Sequence, residues 1–167
     1  MRNFSLRELY LSQLRDLYSA ETQLLAALPH MAANAQNPQL KQGFQNHLAQ
    51  TREQVARLEK IFAALNEPTS GKVCKAMQGL IQEGAEEAGE NKEGPVRDAA
   101  LIASAQRVEH YEIAAYGTAV NFARLLGEDQ AAELLDATLQ EEGQTDQQLT
   151  EVAQVVNQAA LQENSSN

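Results

Sequence analysis

The residues of this chain best suited to chemistry are carboxylates. Stepping about 100° per residue along its amphipathic stretches places Glu21, Glu109, Glu112 and Glu142 inside apolar stripes, with Asp146 near the edge of the last. Glu21 follows Leu17 by four positions and precedes Leu24 by three. Glu109 and Glu112 stand three apart between Val108 and Tyr116, so both face the same way. A carboxylate taken out of water is costly unless a counter-charge offsets the loss. Arg52, Arg57, Arg97, Arg107 and Arg124 all fall off the apolar faces. Protons or a metal cation must therefore neutralise the inward acids, and oxygen ligands suit iron, manganese or magnesium. Asp146 reads somewhat better as a solvated edge charge than as a ligand.

Four long helices have to carry these acids. Strand formers are scarce, Ala, Leu, Gln and Glu dominate, and Gly and Pro mark the joints. Asn37-Pro38 separates a first helix, roughly residues 5–35, from a second at roughly 38–66. A shorter helical piece starts near Val73 and closes between Gly89 and Pro95. Gly127-Glu128-Asp129 then divides a third long helix, roughly 96–126, from a fourth at roughly 129–160. The polar run 162–167 reads as a frayed tail. The stripes are Leu6, Tyr10, Leu14, Leu17, Leu24, Leu28 in the first helix and Phe44, Leu48, Thr51, Val55, Leu58, Phe62, Leu65 in the second. The third carries Ile102, Ala105, Val108, Tyr116, Val120, Ala123, and the fourth Ala131, Leu135, Thr138, Leu149, Ala153, Val156. Short joints make sequential helices antiparallel, and one long connection with its own helix is the connectivity of ferritin-like bundles. The expected fold is all-α, a ferritin-like four-helix bundle with one long crossover.

In the second helix His47 and Gln54 flank the seam, Gln50 lies further round, and Glu53 points away. His47 reads as a hydrogen-bonded helix residue or a partner behind the ligands; His110 reads as exposed and His30 as a helix-end residue. Thr145 sits at one edge of the fourth stripe, and Glu141 is more peripheral. Cys74 reads as a small buried residue. The four tyrosines read as packing, with Tyr18 and Tyr116 nearest the acids.

The chain has 167 residues, 13 Lys+Arg against 23 Asp+Glu, and a net charge of -10. That length buries a real core in one domain. The acid excess argues against nucleic acid, which needs a basic surface, and against anionic membranes. No apolar run is long enough to span a bilayer, and the charged start MRNFSLRELYLSQLRD lacks the apolar core of a signal peptide. One cysteine allows no internal disulfide. A cytoplasmic protein is expected, with apolar helix flanks that allow a homodimer. The competing reading is a metal-free helical dimer that binds a partner, its inner acids protonated or hydrated.

The run Val96-Arg97-Asp98-Ala99-Ala100-Leu101-Ile102-Ala103, continuing through Gln106-Arg107-Val108-Glu109-His110-Tyr111-Glu112-Ile113-Ala114 to Tyr116-Gly117-Thr118, resembles the signature of the YciE/YciF family. Asp16 to Glu21, Cys74 to Ile81, and Glu141-Glu142 followed by Thr145-Asp146 resemble it as well, so the likeness covers roughly residues 4 to 160. These are ferritin-like bacterial proteins linked to stress responses. The resemblance implies a rubrerythrin-like bundle, usually dimeric, with an iron or manganese di-metal centre. Such centres place single glutamates on two helices and a Glu-x-x-His motif on each of the others. Glu21 and Glu112 match the single glutamates. The second helix instead offers the neutral amides Gln50 and Gln54, and the fourth offers Glu142 with Thr145 and Asp146. No complete Glu-x-x-His motif is present, and Glu109 is the acid able to replace part of what is missing. The departure bears on oxidase or peroxidase chemistry more than on the fold.

Overall fold

The computed structural model describes residues 5–164. It consists of five helices: α1 (Leu6–Asn34), α2 (Pro38–Leu65), α3 (Lys75–Glu90), α4 (Pro95–Leu125) and α5 (Asp129–Asn164). There is no strand among the described residues, and no described helix is long and apolar enough to cross a membrane. Of the polar run 162–167, the first three residues continue α5, and residues 165–167 lie outside the described ones.

Local chemistry sets these boundaries. Ser5 and Glu8 form a reciprocal capping box that satisfies free N–H groups at the start of α1. Asn37 accepts from the backbone of Gln39 and Leu40, and Pro38 supplies a first residue that needs no hydrogen bond. Asn66 ends α2 in the left-handed region at φ 53°, where asparagine is tolerated. Helix α3 begins at Lys75, two residues after the expected start near Val73. Cys74 is its cap, with Sγ 3.5 Å from the Met77 N–H, while Val73 is exposed.

Helices α1, α2, α5 and α4 touch in a closed ring, and α3 lies on α1 and α4. At the start of α4, Asp98 accepts backbone N–H bonds of 2.8 and 2.7 Å from Gln36 and Asn37, just past the end of α1. Further along α4, Tyr116 meets Glu21, earlier in α1, so the two helices are antiparallel. Gln54 meets Glu141 and Glu142 while Arg57 meets Thr138, so α2 and α5 are antiparallel too. The α3 helix docks closely because Gly84 has no side chain: a Cβ there would sit 2.0 Å from Ser104 Oγ.

Burial divides the interior into two apolar clusters. One contains Leu24, Leu28, Phe44, Ile102, Val108 and Leu149; the other contains Tyr10, Leu14, Leu58, Phe62, Val120 and Leu135. The predicted stripes fill them, apart from Leu6, which is exposed at the first turn of α1. Between the clusters lies a buried polar layer, an arrangement that costs stability unless each group is satisfied.

Candidate metal centre

Each of the four long helices contributes to the polar layer. Glu21 comes from α1, His47, Thr51 and Gln54 from α2, Glu109 and Glu112 from α4, and Glu142 from α5, all buried. One ligand atom from each of His47, Glu109, Glu112 and Glu142 can be chosen so that all lie within 4.8 Å of one another. His47 Nε2 is 3.3 Å from Glu109 Oε1 and 3.9 Å from Glu142 Oε2. Glu21 stands beside this group, its Oε1 accepting from the Tyr116 hydroxyl.

The layer is short of hydrogen bonds. Both carboxylate oxygens of Glu112, one each of Glu21, Glu109 and Glu142, and both ring nitrogens of His47 have no hydrogen-bond partner. Buried polar atoms are nearly always paired, so this many open positions in one layer marks a place for something else. Two residues hold its edge. Gln54 donates to Glu142 and, over 3.1 Å, to Glu141 Oε2. Arg57 grips Glu141 through contacts of 2.6 and 2.7 Å and reaches Thr138 Oγ1 at 3.1 Å.

The electrostatics follow from burial. Desolvation, then repulsion from neighbouring carboxylates, pushes Glu21, Glu109 and Glu112 well above the usual glutamate range. Burial alone would raise Glu141 as well, but the hydrogen-bonded Arg57 outweighs it and holds that acid low. Desolvation depresses His47, with Glu142 and Gln50 opposing it, so the imidazole favours its neutral, ligating form. Burial and the adjacent Glu21 carboxylate hold the Tyr116 hydroxyl well above its ordinary value. Each of the three glutamate shifts disfavours negative charge in the layer, and a cation would reverse that preference.

Glu21, Glu109, Glu112 and Glu142 are therefore brought together, as the helical stepping predicts. Asp146 is not: it is half-buried, near Gln106 at 3.2 Å and His110 at 3.3 Å. Gln50 is half-buried beside His47 rather than among the acids. Gln54, expected on a flank, is fully buried and acts as a donor to the acids. His47 is the residue the sequence reading placed too far out. The signal was present, since Thr51 in the seam is four residues after His47 and three before Gln54. Arg57 lies off the apolar stripe as expected, yet still reaches the rim of the layer.

A second network ties α1, α3 and α4 together. The Tyr111 hydroxyl donates to Asp16 and lies 3.0 Å from Cys74 Sγ, and Lys72 pairs with Asp16 at 3.1 Å. Tyr111 and Tyr116 thus anchor α4 to α1 on either side of Glu112.

Comparison with known proteins agrees with this architecture. The family described as a domain of unknown function, DUF892, matches residues 5–161. Protein YciF of Escherichia coli K12 is 43% identical over 150 residues, covering 89% of this chain and 90% of YciF. The crystal structure of that E. coli stress protein superposes with a TM-score of 0.89 at 42% identity, over 93% of this chain and 99% of the other. YcfI of Rhodopseudomonas palustris, described as a candidate structural protein, gives 0.85 at 44% identity, over 88% and 94%. A protein of Xanthomonas campestris pv. campestris shares the fold at 22% identity and a TM-score of 0.78, over 96% and 99%. The chain belongs to the DUF892 family and is a homologue of the stress protein YciF.

Proposed function

We propose that this chain is a ferritin-like, stress-associated cytoplasmic protein that binds divalent metal, iron or manganese, in its polar layer. The ring of four long helices supports the ferritin-like reading. Arg15 meets Glu67 and Tyr18 meets Glu59, so α2, like α4, runs opposite to α1, and the connection holding α3 has to carry the chain back along the bundle before α4 begins. His47, Glu109, Glu112 and Glu142 form the core of the site, with Glu21 beside them. Gln54 orients Glu142 from the edge, while Asp146 and Gln50 lie outside the core.

The observation that carries this reading is the set of buried acid oxygens and imidazole nitrogens with no hydrogen-bond partner. An imidazole with several carboxylates is a donor set that both ions accept. A bound ion of either kind supplies Lewis acidity and one-electron redox chemistry. The chain's own contribution is to hold the acids in place, fix Glu21 through Tyr116, and flank the layer with the two apolar clusters. Peroxidase- or oxidase-type chemistry is the reaction class such a site would serve. A homodimer is part of the proposal, and sedimentation tests it directly.

The test is metal analysis of untagged protein, followed by anaerobic titration with Fe(II) or Mn(II). Stoichiometric binding supports the proposal; no binding above background removes it. The second reading, a metal-free structural or partner-binding protein, is favoured by one observation. Tyr116 and Gln54 already satisfy one oxygen each of Glu21 and Glu142 from within the chain.

A further inference from the structure

A cavity of about 540 Å³ lies beside the polar layer, walled by α1, α2, α4 and α5. Its volume falls in the range of small-molecule sites. Leu24, Leu28, Phe44, Ala105, Val108 and Leu149 make its wall apolar, and His47 and Glu109 are the buried residues of the metal cluster that it reaches. Those two side chains have unpaired polar atoms, His47 Nδ1 and Glu109 Oε2. The opposite ring nitrogen of His47 faces Glu109 and Glu142, so Nδ1 is the nitrogen turned away from the acids.

Gly43 adds an independent observation. It lies inside α2, where glycine weakens a helix, yet a Cβ there would meet nothing within 4 Å. No close packing of helices demands it, and Gly43 lines the cavity, so the missing side chain enlarges the cavity's free space. The charged residues in the lining are acids, Glu109 and Glu151, with no Lys or Arg among them. An anionic head would be repelled there.

We infer that this cavity binds a neutral aliphatic molecule whose single hydroxyl-type head hydrogen-bonds His47 Nδ1 or Glu109 Oε2 while its chain lies along the leucine-rich wall. The exclusion of cationic heads rests on the metal reading, because an ion held by the acids offsets their charge. The exclusion of anionic heads is drawn for the metal-free chain, where no ion offsets the acids, and the preference for an aliphatic chain rests on neither state.

The probe is 1-octanol, titrated calorimetrically into the full chain, once metal-free and once with Mn(II). Octanoate and octylamine serve as charge controls, and Mn(II) binding is measured separately. The expected result is saturable one-to-one octanol binding, octanoate weaker by at least tenfold in the metal-free protein, and octylamine excluded once Mn(II) is present. Gly43→Leu should weaken octanol at least tenfold and leave Mn(II) affinity unchanged. Because that substitution adds a helix-favouring residue into open space, loss of folding is not expected; a thermal melt confirms it, and Val108→Phe provides a second blocking variant. Non-saturable octanol binding, equal binding of octanoate, or indifference to both blocking variants overturns the inference. So does a dimer that Gly43→Leu dissociates without any octanol binding, which would make a second copy of the chain the occupant. Octanol binding by a protein that takes up no Mn(II) removes the metal reading and leaves the octanol site standing.

Discussion

The Gln54 side chain donates to Glu142 across the α2–α5 boundary, a neutral amide holding a buried acid where a ferritin-like centre would place another ligand. The amide lowers the number of negative charges in the layer and steers one Glu142 oxygen away from the centre. The other oxygen, Oε2, remains open and lies on the His47 side.

Gln54→Glu should therefore trade stability for affinity. It removes the donor shared by Glu141 and Glu142 and adds one more buried acid. The metal-free protein should lose about 2 kcal/mol or more, lowering Tm by roughly 4–8 °C. Mn(II) should bind about tenfold more tightly, since a carboxylate replaces an amide. Paired melts and titrations check both halves; a variant with unchanged Tm and unchanged affinity contradicts this role for Gln54.

Glu112→Gln should behave in the opposite sense. Neither Glu112 oxygen has a hydrogen-bond partner to lose, and Glu21 and Glu142 both repel its charge. Metal-free stability should stay level or rise, while metal affinity falls at least about tenfold. A clear drop in Tm without metal would show instead that Glu112 serves the fold.

The pH dependence of the metal-free protein has a definite sign. Glu21, Glu109 and Glu112 are pushed above the ordinary glutamate value of 4.5, so the folded chain retains protons that the unfolded chain releases. The stability this brings is complete below that ordinary value and is lost as pH rises through the raised folded values. Asp16 and Glu141 are held low and act in the reverse sense, losing their contribution only in stronger acid, and the depressed His47 also opposes the three glutamates below its ordinary value. Melts from pH 5 to pH 8 should show Tm falling in the absence of metal. Saturating Mn(II) should flatten the slope, with release of protons on binding. A Tm that climbs steadily across this interval without metal contradicts the upward shift of these three glutamates.

Gly84→Ala should loosen α3. Its new methyl would overlap Ser104 Oγ, and overpacking of this kind costs about 1–3 kcal/mol. Ser104→Gly removes the obstructing atoms, so the double variant should be more stable than the sum of its parts predicts. Additive melts would mean that the two helices simply move apart.

The acids of this layer were legible because each interrupts an otherwise apolar helical stripe. Glu21 between Leu17 and Leu24, and Glu112 between Val108 and Tyr116, are conspicuous for that reason. His47 and Gln54 were harder to place. Helix α2 packs on α1 and α5 together, so its buried face is wider than the Phe44–Leu48–Thr51–Val55 seam that defines its periodicity. Polar residues at the margin of that wider face look solvated when judged from the seam alone. The seat of α3 was not legible at all. It depends on the meeting of Gly84 with Ser104, a contact between small residues that leaves no periodic trace.

Cys74 combines three properties: it is 1% exposed, it caps α3, and it touches Tyr111 across to α4. A thiol so enclosed can meet an alkylating reagent only when that corner opens. The chain thus carries its own clock: the labelling rate of this single sulfur counts how often α3 lifts away, without unfolding the rest of the molecule.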